Sequence, residues 1–538
     1  MNDALLTWLV LLPLIGALIV GFTPRQWVTG IRTVSVAWML LTFAVSLTLL
    51  TENFAEGPGA ADMKFVQHLP WIPSLGISYK VGVDGLSLWL VLLTTALTPI
   101  SLYASWTSID TKIKEYAICF LVLEAGMLGA FVALDVFLYY VFWELMLAPM
   151  YFIVGIWGGK DRVYAAVKFF LYTMVGSLLM LVAILYLVSV YHELSMAQGL
   201  AESYSFELSE LSRVVLPFEV QVWLFAAFVL AFAIKVPMFP FHTWLPDAHV
   251  QAPTGGSIAL AAVMLKLGTY GFLRFAIPLF PLAAVRVGPS LAVLAVVGII
   301  YGAYCAWVQR DVKKLVAYSS VSHMGFVALG IFALTQHGVS GAILQMLNHG
   351  VSTGALFILV GVIYERRHTR ELDAFGGLAR VMPWYTLVFV IVTMSSIGLP
   401  GTNGFVGEFM ILSGTFMAER LQPWSATFTF FAATGVVLAA IYMLHAVLRI
   451  FWGPVRHEVN NALVDLTSRE WRVLAPLLVL IFWVGFYPAT FLDRMNPSVT
   501  RYLNEVTTRA TDQTFDDTQR LLPTIDSGAI ALSGEKNQ

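Results

Sequence analysis

Eight ionisable side chains interrupt stretches that are otherwise almost wholly apolar. They are Glu124 in FLVLEAGMLGAF, Asp135 in VALDVFLYY, Glu144 in YYVFWELMLAPMY, Lys235 in FAIKVPMFPFHTWLPDAHVQAP, Lys266 in AAVMLKLGTYGF, His323 in SSVSHMGFVAL, His349 in LQMLNHGVSTGAL and Glu408 in NGFVGEFMIL. A charge at the centre of a membrane helix costs roughly 2.5 to 3.5 kcal/mol on insertion scales, so such residues are kept for a reason. Proton conduction is the chemistry these types suit. Burial lowers the pKa of a lysine and raises that of a glutamate, and an opposite charge nearby does the reverse. A glutamate and a lysine that alternate between touching and parting therefore form a switchable proton site. Histidine, titrating near neutral pH, serves as the relay between such sites.

Each residue also has a plainer reading. Asp135 stands at a helix junction, where a carboxylate caps free N–H groups. Glu124 could be held by hydrogen bonds across the bundle, and His323 and His349, near Ser322, Ser352 and Thr353, could satisfy neighbouring backbone. Glu144, Lys235, Lys266 and Glu408 lie deeper in apolar sequence, where a purely structural ion pair carries a heavy desolvation penalty. For Lys235 the surroundings are specific. Pro237 and Pro240 remove backbone donors just past it and break the helix, which frees carbonyls and admits water at membrane depth. Beyond the break, His242, Asp247 and His249 could line a cytoplasmic entrance or form a capped, hydrated turn.

The elements that must hold these groups are membrane helices. The 538 residues are 58% hydrophobic and 12% charged, against roughly 25% charged in soluble domains. Apolar runs of bridging length recur along the chain, so the fold class is an all-α polytopic membrane protein with about fourteen spans. The first, LLTWLVLLPLIGALIVGF, reads as a retained span and not a signal peptide. Basic residues cluster in alternate connections: Arg25 and Arg32, Lys112 and Lys114, Lys160 and Arg162, Arg310 with Lys313 and Lys314, Arg366 with Arg367 and Arg370, and Arg456 with Arg469. Those connections are expected to be cytoplasmic, which puts both termini on the outer side. The tail from about Asp493 reads as polar, without periodicity, an irregular or lightly helical extension. Cys119 and Cys305 read as small hydrophobes, and no cysteine spacing suggests a metal site.

Two spans are interrupted, at Val222 to Pro253 and at MSSIGLPGTNGFVGEFMIL from Met394 to Leu412. Five helices apart, they should cross the membrane in opposite senses. Paired broken helices point to two inverted five-helix repeats, each containing one break, with the site near the midplane. The expected divisions are N-terminal helices to residue 110, a first repeat at 111–280, a second at 281–455, and a C-terminal helix and tail from 456.

The ordered motifs VGVDGLSLWLVLL, YYVFWELMLAPMYFIVGIWGG, AAVKFFLYTMVGSLLML, IKVPMFPFHTWLPDAHVQAPTGGSIALAAVMLKLGTYGFLRF, VAYSSVSHMGFVALG and IGLPGTNGFVGEF resemble the antiporter-like membrane subunits of respiratory complex I and of Mrp-type cation/proton antiporters. The likeness runs from about residue 80 to 455. By it, the family's glutamate of the fifth helix falls on Glu144, the lysine of the broken seventh on Lys235 and the connecting lysine of the eighth on Lys266. At the broken twelfth helix, L and N types carry lysine and M types glutamate, here Glu408. That choice, with the chain length and the absence of a long amphipathic C-terminal helix, makes the likeness closest to the M type.

The resemblance implies a proton-translocating subunit of NADH:quinone oxidoreductase in a bacterial inner membrane. His323 and His349 would line its polar axis, and Glu124, Asp135, His242, Asp247 and His249 are secondary candidates. No cofactor is expected in this chain, and no phosphate-binding loop or haem or iron–sulfur ligand pattern occurs in it. FMN, iron–sulfur clusters and quinone would belong to partner subunits, reached through L-type and N-type neighbours and an NADH-oxidising hydrophilic arm. The alternatives are an Mrp-type Na+/H+ antiporter subunit, a membrane-bound hydrogenase subunit, or a structural scaffold.

Overall fold

The computed structural model describes residues 4–197 and 204–521, with side chains as far as 514. Among them, eleven helices are long and apolar enough to cross a membrane, or twelve if Ser468–Phe486 and Ala489–Thr514, bent by 67°, count as one span. Shorter apolar helices stand at Leu88–Ala104 and Pro383–Ser396. The chain is a multi-pass membrane protein.

Enclosure sorts the helices. In Thr254–Leu279 and Gln336–Arg367 the most apolar window is 100% buried and in Val312–Phe332 94%, whereas in Leu5–Phe22 and Ser425–Phe451 it is 39%. A helix apolar on all sides and enclosed by protein is the core of a bundle. These three enclosed helices carry Lys266, His349 and His323. In Thr254–Leu279 the helix widens into π turns at Leu260–Met264 and Phe272–Ala276, on either side of Lys266. Such turns leave a carbonyl out of register, available to a side chain.

The connections gather on two faces. On one, Lys114 donates to Thr23 O, Arg370 to Val250 O, and Arg366 pairs with Glu470. This face holds the basic connections. The other holds a hairpin, Lys64–Ile72 against Ile77–Val83. Its second strand, ISYKVGV, has the β-branched and aromatic residues that strands favour. The hairpin is an addition to the expected all-helical picture, in a stretch too polar to register as a span.

Both expected breaks are present. The helix Phe218–Lys235 stops at the lysine and the chain resumes as Trp244–Gln251, with Trp244 Nε1 donating at 2.8 Å to the freed carbonyl of Ile234. Pro383–Ser396 and Asn403–Phe416 are separated by a turn in which Gly398 and Gly401 have φ of 75° and 88°. The first broken helix runs toward the basic face and the second away from it. A Cβ on Gly404 would sit 2.1 Å from the backbone oxygen of Ser395. Gly404→Ala is therefore expected to destabilise the second break by about 1 to 3 kcal/mol, read as a lower thermal midpoint of the purified assembly.

The C-terminal expectation is corrected. Ala489–Leu521 is one amphipathic helix of 33 residues. Phe491, Met495, Val499, Tyr502, Val506, Ala510 and Gln513 recur every three or four positions and are all buried. The helix lies across the hairpin face, where Trp89 Nε1 donates to Phe491 O, Arg501 pairs with Asp62, and Gln221 bonds Gln513. The absence of such a helix is thus no argument for the M type.

Candidate functional site

The enclosed helices and the second broken helix bring four of the expected residues into one line. Lys266 Nζ is 2.7 Å from His349 Nδ1 and also donates to Ala261 O, a carbonyl within the first π turn. The His349 and His323 rings are 6.0 Å apart between centroids. A cavity of about 10 Å³, lined by both rings with Gln345, Asn348, Ser352 and Ser396, adjoins them and has room for about one water. His323 Nδ1 is 2.9 Å from Glu408 Oε1, which also accepts from Gln345 Nε2 at 3.1 Å. An ammonium at Lys266 donates to His349 Nδ1 and leaves the ring proton on Nε2, which is buried and has no protein partner. The line can therefore pass a proton from Lys266 toward Glu408.

Lys235 and Glu144 are arranged differently. Lys235 is buried with Nζ unpartnered, 5.2 Å over the Trp143 ring and 5.5 Å over that of Phe169. Glu144 is only partly buried, contrary to its apolar sequence surroundings, and its Oε1 is unpartnered. The helix ends one residue later, at Leu145, and restarts at Leu147. Lys235 stays within electrostatic reach of Glu144. Lys235 and Glu144 form no ion pair here, and ring faces lie against the ammonium instead.

The secondary candidates divide. His249 is fully buried with both ring nitrogens unpartnered, stacks on Phe357 at 4.6 Å, and lies within electrostatic reach of Lys266 and of Lys313 at the basic face. It extends the line toward that face. Asp247 pairs with Lys168 at 2.7 Å, and His242 packs against Tyr301 and Phe239. Glu124 accepts from Thr98 Oγ1 at 2.9 Å, apart from the line. Asp135 does not join it either: its carboxylate accepts from the N–H groups of Phe137, Leu138 and Ser78 and from Ser78 Oγ, capping a helix and clamping the hairpin. Gln345, Asn348, Ser396 and Lys168 escaped notice in the sequence. The first two left a trace, because Gln345, Asn348, His349 and Ser352 form a polar stripe at helical spacing in LQMLNHGVSTGAL.

Residues 133–452 match the sequence profile of the family described as NADH:quinone oxidoreductase/Mrp antiporter, TM. That segment holds both breaks and every residue of the line. The chain belongs to this family. Among relatives, it is 47% identical over 513 residues to the NADH-quinone oxidoreductase subunit M of Rhodobacter capsulatus, covering 92% of this chain and 95% of that one. It resembles a chain of respiratory complex I from Thermus thermophilus with a TM-score of 0.81 and 31% identity, covering 93% of this chain and 99% of that one. A chain of the Mrp complex from Dietzia sp. DQ12-45-1b shares the fold, with a TM-score of 0.76 at 22% identity, covering 96% of this chain and 57% of that one. No cluster of three or more His, Cys, Asp or Glu residues suited to a metal ion occurs among the described residues.

Proposed function

We propose that this chain is an M-type, proton-translocating subunit of the membrane arm of an NADH:quinone oxidoreductase. The observation that carries the reading is the buried line Lys266–His349–His323–Glu408, which joins the middle of the bundle to the second broken helix. Residues 111–280 and 281–455 act as two inverted repeats whose half-channels join at Lys266. A proton enters from the basic, cytoplasmic face past Asp247 and His249. Lys235 holds or yields a proton as Glu144 approaches or withdraws, and the resulting field sets the charge on Lys266. The imidazoles then relay the proton to Glu408.

Moving each charge against the membrane potential costs about 2.3 kcal/mol per 100 mV. That energy comes from partner subunits carrying FMN, iron–sulfur clusters and quinone, with L-type and N-type neighbours in the arm. The chain lies in a bacterial inner membrane with both termini outside.

The test is to purify the tagged chain from its native membrane in mild detergent, identify its companions and assay NADH-driven quinone reduction. Flavin and iron–sulfur subunits with that activity support the proposal. Only other antiporter subunits, without redox activity, would overturn it in favour of a cation/proton exchanger.

Glu408→Lys gives a graded result. An ammonium cannot accept from Gln345 Nε2, so the local bonds must rearrange, but lysine can still take and yield a proton. The variant is expected to pump less than the native chain and more than Glu408→Ala in NADH-energised vesicles; complete loss in an assembled complex would count against a proton-carrying role at this position.

A further inference from the structure

A large groove opens between the helices Val28–Ser46, Leu88–Ala104 and Ser468–Phe486. Its volume is about 880 Å³. Nine leucines line it, and valine, phenylalanine, proline and tryptophan fill most of the rest. Helices that pack together in a membrane meet through small residues, which let their backbones approach. These walls are bulky and uneven, a surface that flexible acyl chains fill better than a helix does.

The polar residues of the groove gather at its ends. At the basic face the Tyr103 and Trp106 rings lie 5.1 Å apart, with the Arg472 guanidinium 5.6 Å over Tyr103 and that of Arg32 5.7 Å over Trp106. Other arginines of this face are paired, Arg366 with Glu470 and Arg469 with Glu365. Arg472 is exposed, donates to Ser468 O at 3.2 Å, and has no carboxylate partner among the described residues. At the far end Trp483, Phe491 and Trp89 meet ring to ring, at 5.7 and 4.6 Å between centroids, and form a floor. Trp483 follows Arg472 by eleven residues on one helix, or about 16 Å. That is one leaflet's share of a hydrocarbon core about 30 Å thick.

We propose that the groove binds one anionic phospholipid from the leaflet on the basic face. The Arg472 fork holds phosphate oxygens through charge-assisted hydrogen bonds and supplies the cation for which the protein has no anion. Tyr103 and Trp106 stand at headgroup level, where amphipathic rings settle. With Arg32 beside Arg472 the end of the groove is doubly positive, so a net negative headgroup is favoured over one that carries its own cation. The acyl chains run between the leucines to the ring floor. Leu347 reaches this wall from Gln336–Arg367, so a chain lying there packs against the helix that carries Asn348 and His349. The groove's other arginine, Arg494, stands on the C-terminal helix, three residues past the floor residue Phe491.

The test uses the purified assembly in phosphatidylcholine vesicles that contain a trace of phosphatidylglycerol with a photoreactive group on one acyl chain. Cross-links are expected on the peptides that hold Leu93 and Leu477, displaced by unlabelled phosphatidylglycerol and not by a matching addition of phosphatidylcholine. Arg472→Gln should reduce them by roughly tenfold, the scale of one lost hydrogen bond to a charged group. Arg472→Lys, which keeps the cation, should reduce them less, and Arg494→Gln not at all. Equal labelling of Arg472→Gln and the native chain would overturn the site, and so would loss on Arg494→Gln alone, which puts the headgroup at the hairpin face. Absence of label at Leu93 and Leu477 in the native assembly would overturn it as well and leave the groove to a helix of a neighbouring subunit. Neither arginine belongs to the proton line, so the lipid site stands or falls apart from the pumping role.

Discussion

Lys235→Ala is expected to leave the complex assembled and to lower NADH-driven proton pumping by at least about tenfold, equivalent to ~1.4 kcal/mol on the limiting step. The ammonium lies over two aromatic rings with no hydrogen-bond partner, so its removal breaks no hydrogen bond and unbalances no ion pair. What it removes is the charge that answers Glu144. Glu144→Gln should act in the same direction, because an amide keeps the shape of the carboxylate and loses its charge. The check is the pH gradient formed by vesicles on adding NADH, normalised to assembled complex. Normal pumping by either variant would rule out the switch.

The ionisable groups were legible because apolar sequence hides nothing charged. Lys266, His323, His349 and Glu408 each stand out at the cost of a buried charge, and the prolines after Lys235 and the glycines around Pro400 mark both breaks. Their union in one line was not legible, since the rotation of each helix about its axis depends on packing partners. Neutral polar residues were harder still. Gln345 and Ser396 cost little to place in a span, yet they hold Glu408 and His323. Asp135 read equally as a relay or a helix cap and is a cap, a distinction fixed by the hairpin strand that reaches it. The C-terminal helix escaped because its polar face outweighs its apolar stripe in any average over a window. The stripe itself, from Phe491 to Gln513, is present in the sequence for a reading that follows helical spacing.

Lys266→Arg is expected to stop pumping almost as completely as Lys266→Ala, by roughly tenfold or more, although it preserves the positive charge. The two substitutions distinguish a proton carrier from a fixed charge. Lys266 Nζ bonds one nitrogen of His349 and the carbonyl of Ala261, and a neutral amine in that place can receive a proton from one side and return it on the other. A guanidinium keeps its protons at any accessible pH. It also needs five donors satisfied, where Lys266 has two acceptors and a position fully enclosed by protein. Gln at His349 would test the next link, because an amide can bond Nζ but cannot relay a proton through its two ends as imidazole does. The measurement is proton uptake per electron in vesicles, with electron transfer and assembly followed in parallel. If Lys266→Arg pumped like the native chain, Lys266 would be a fixed electrostatic element, and the path to Glu408 would have to bypass it through the cavity beside His323. Loss in Arg and Ala alike, with the complex assembled, places the moving proton on the lysine itself.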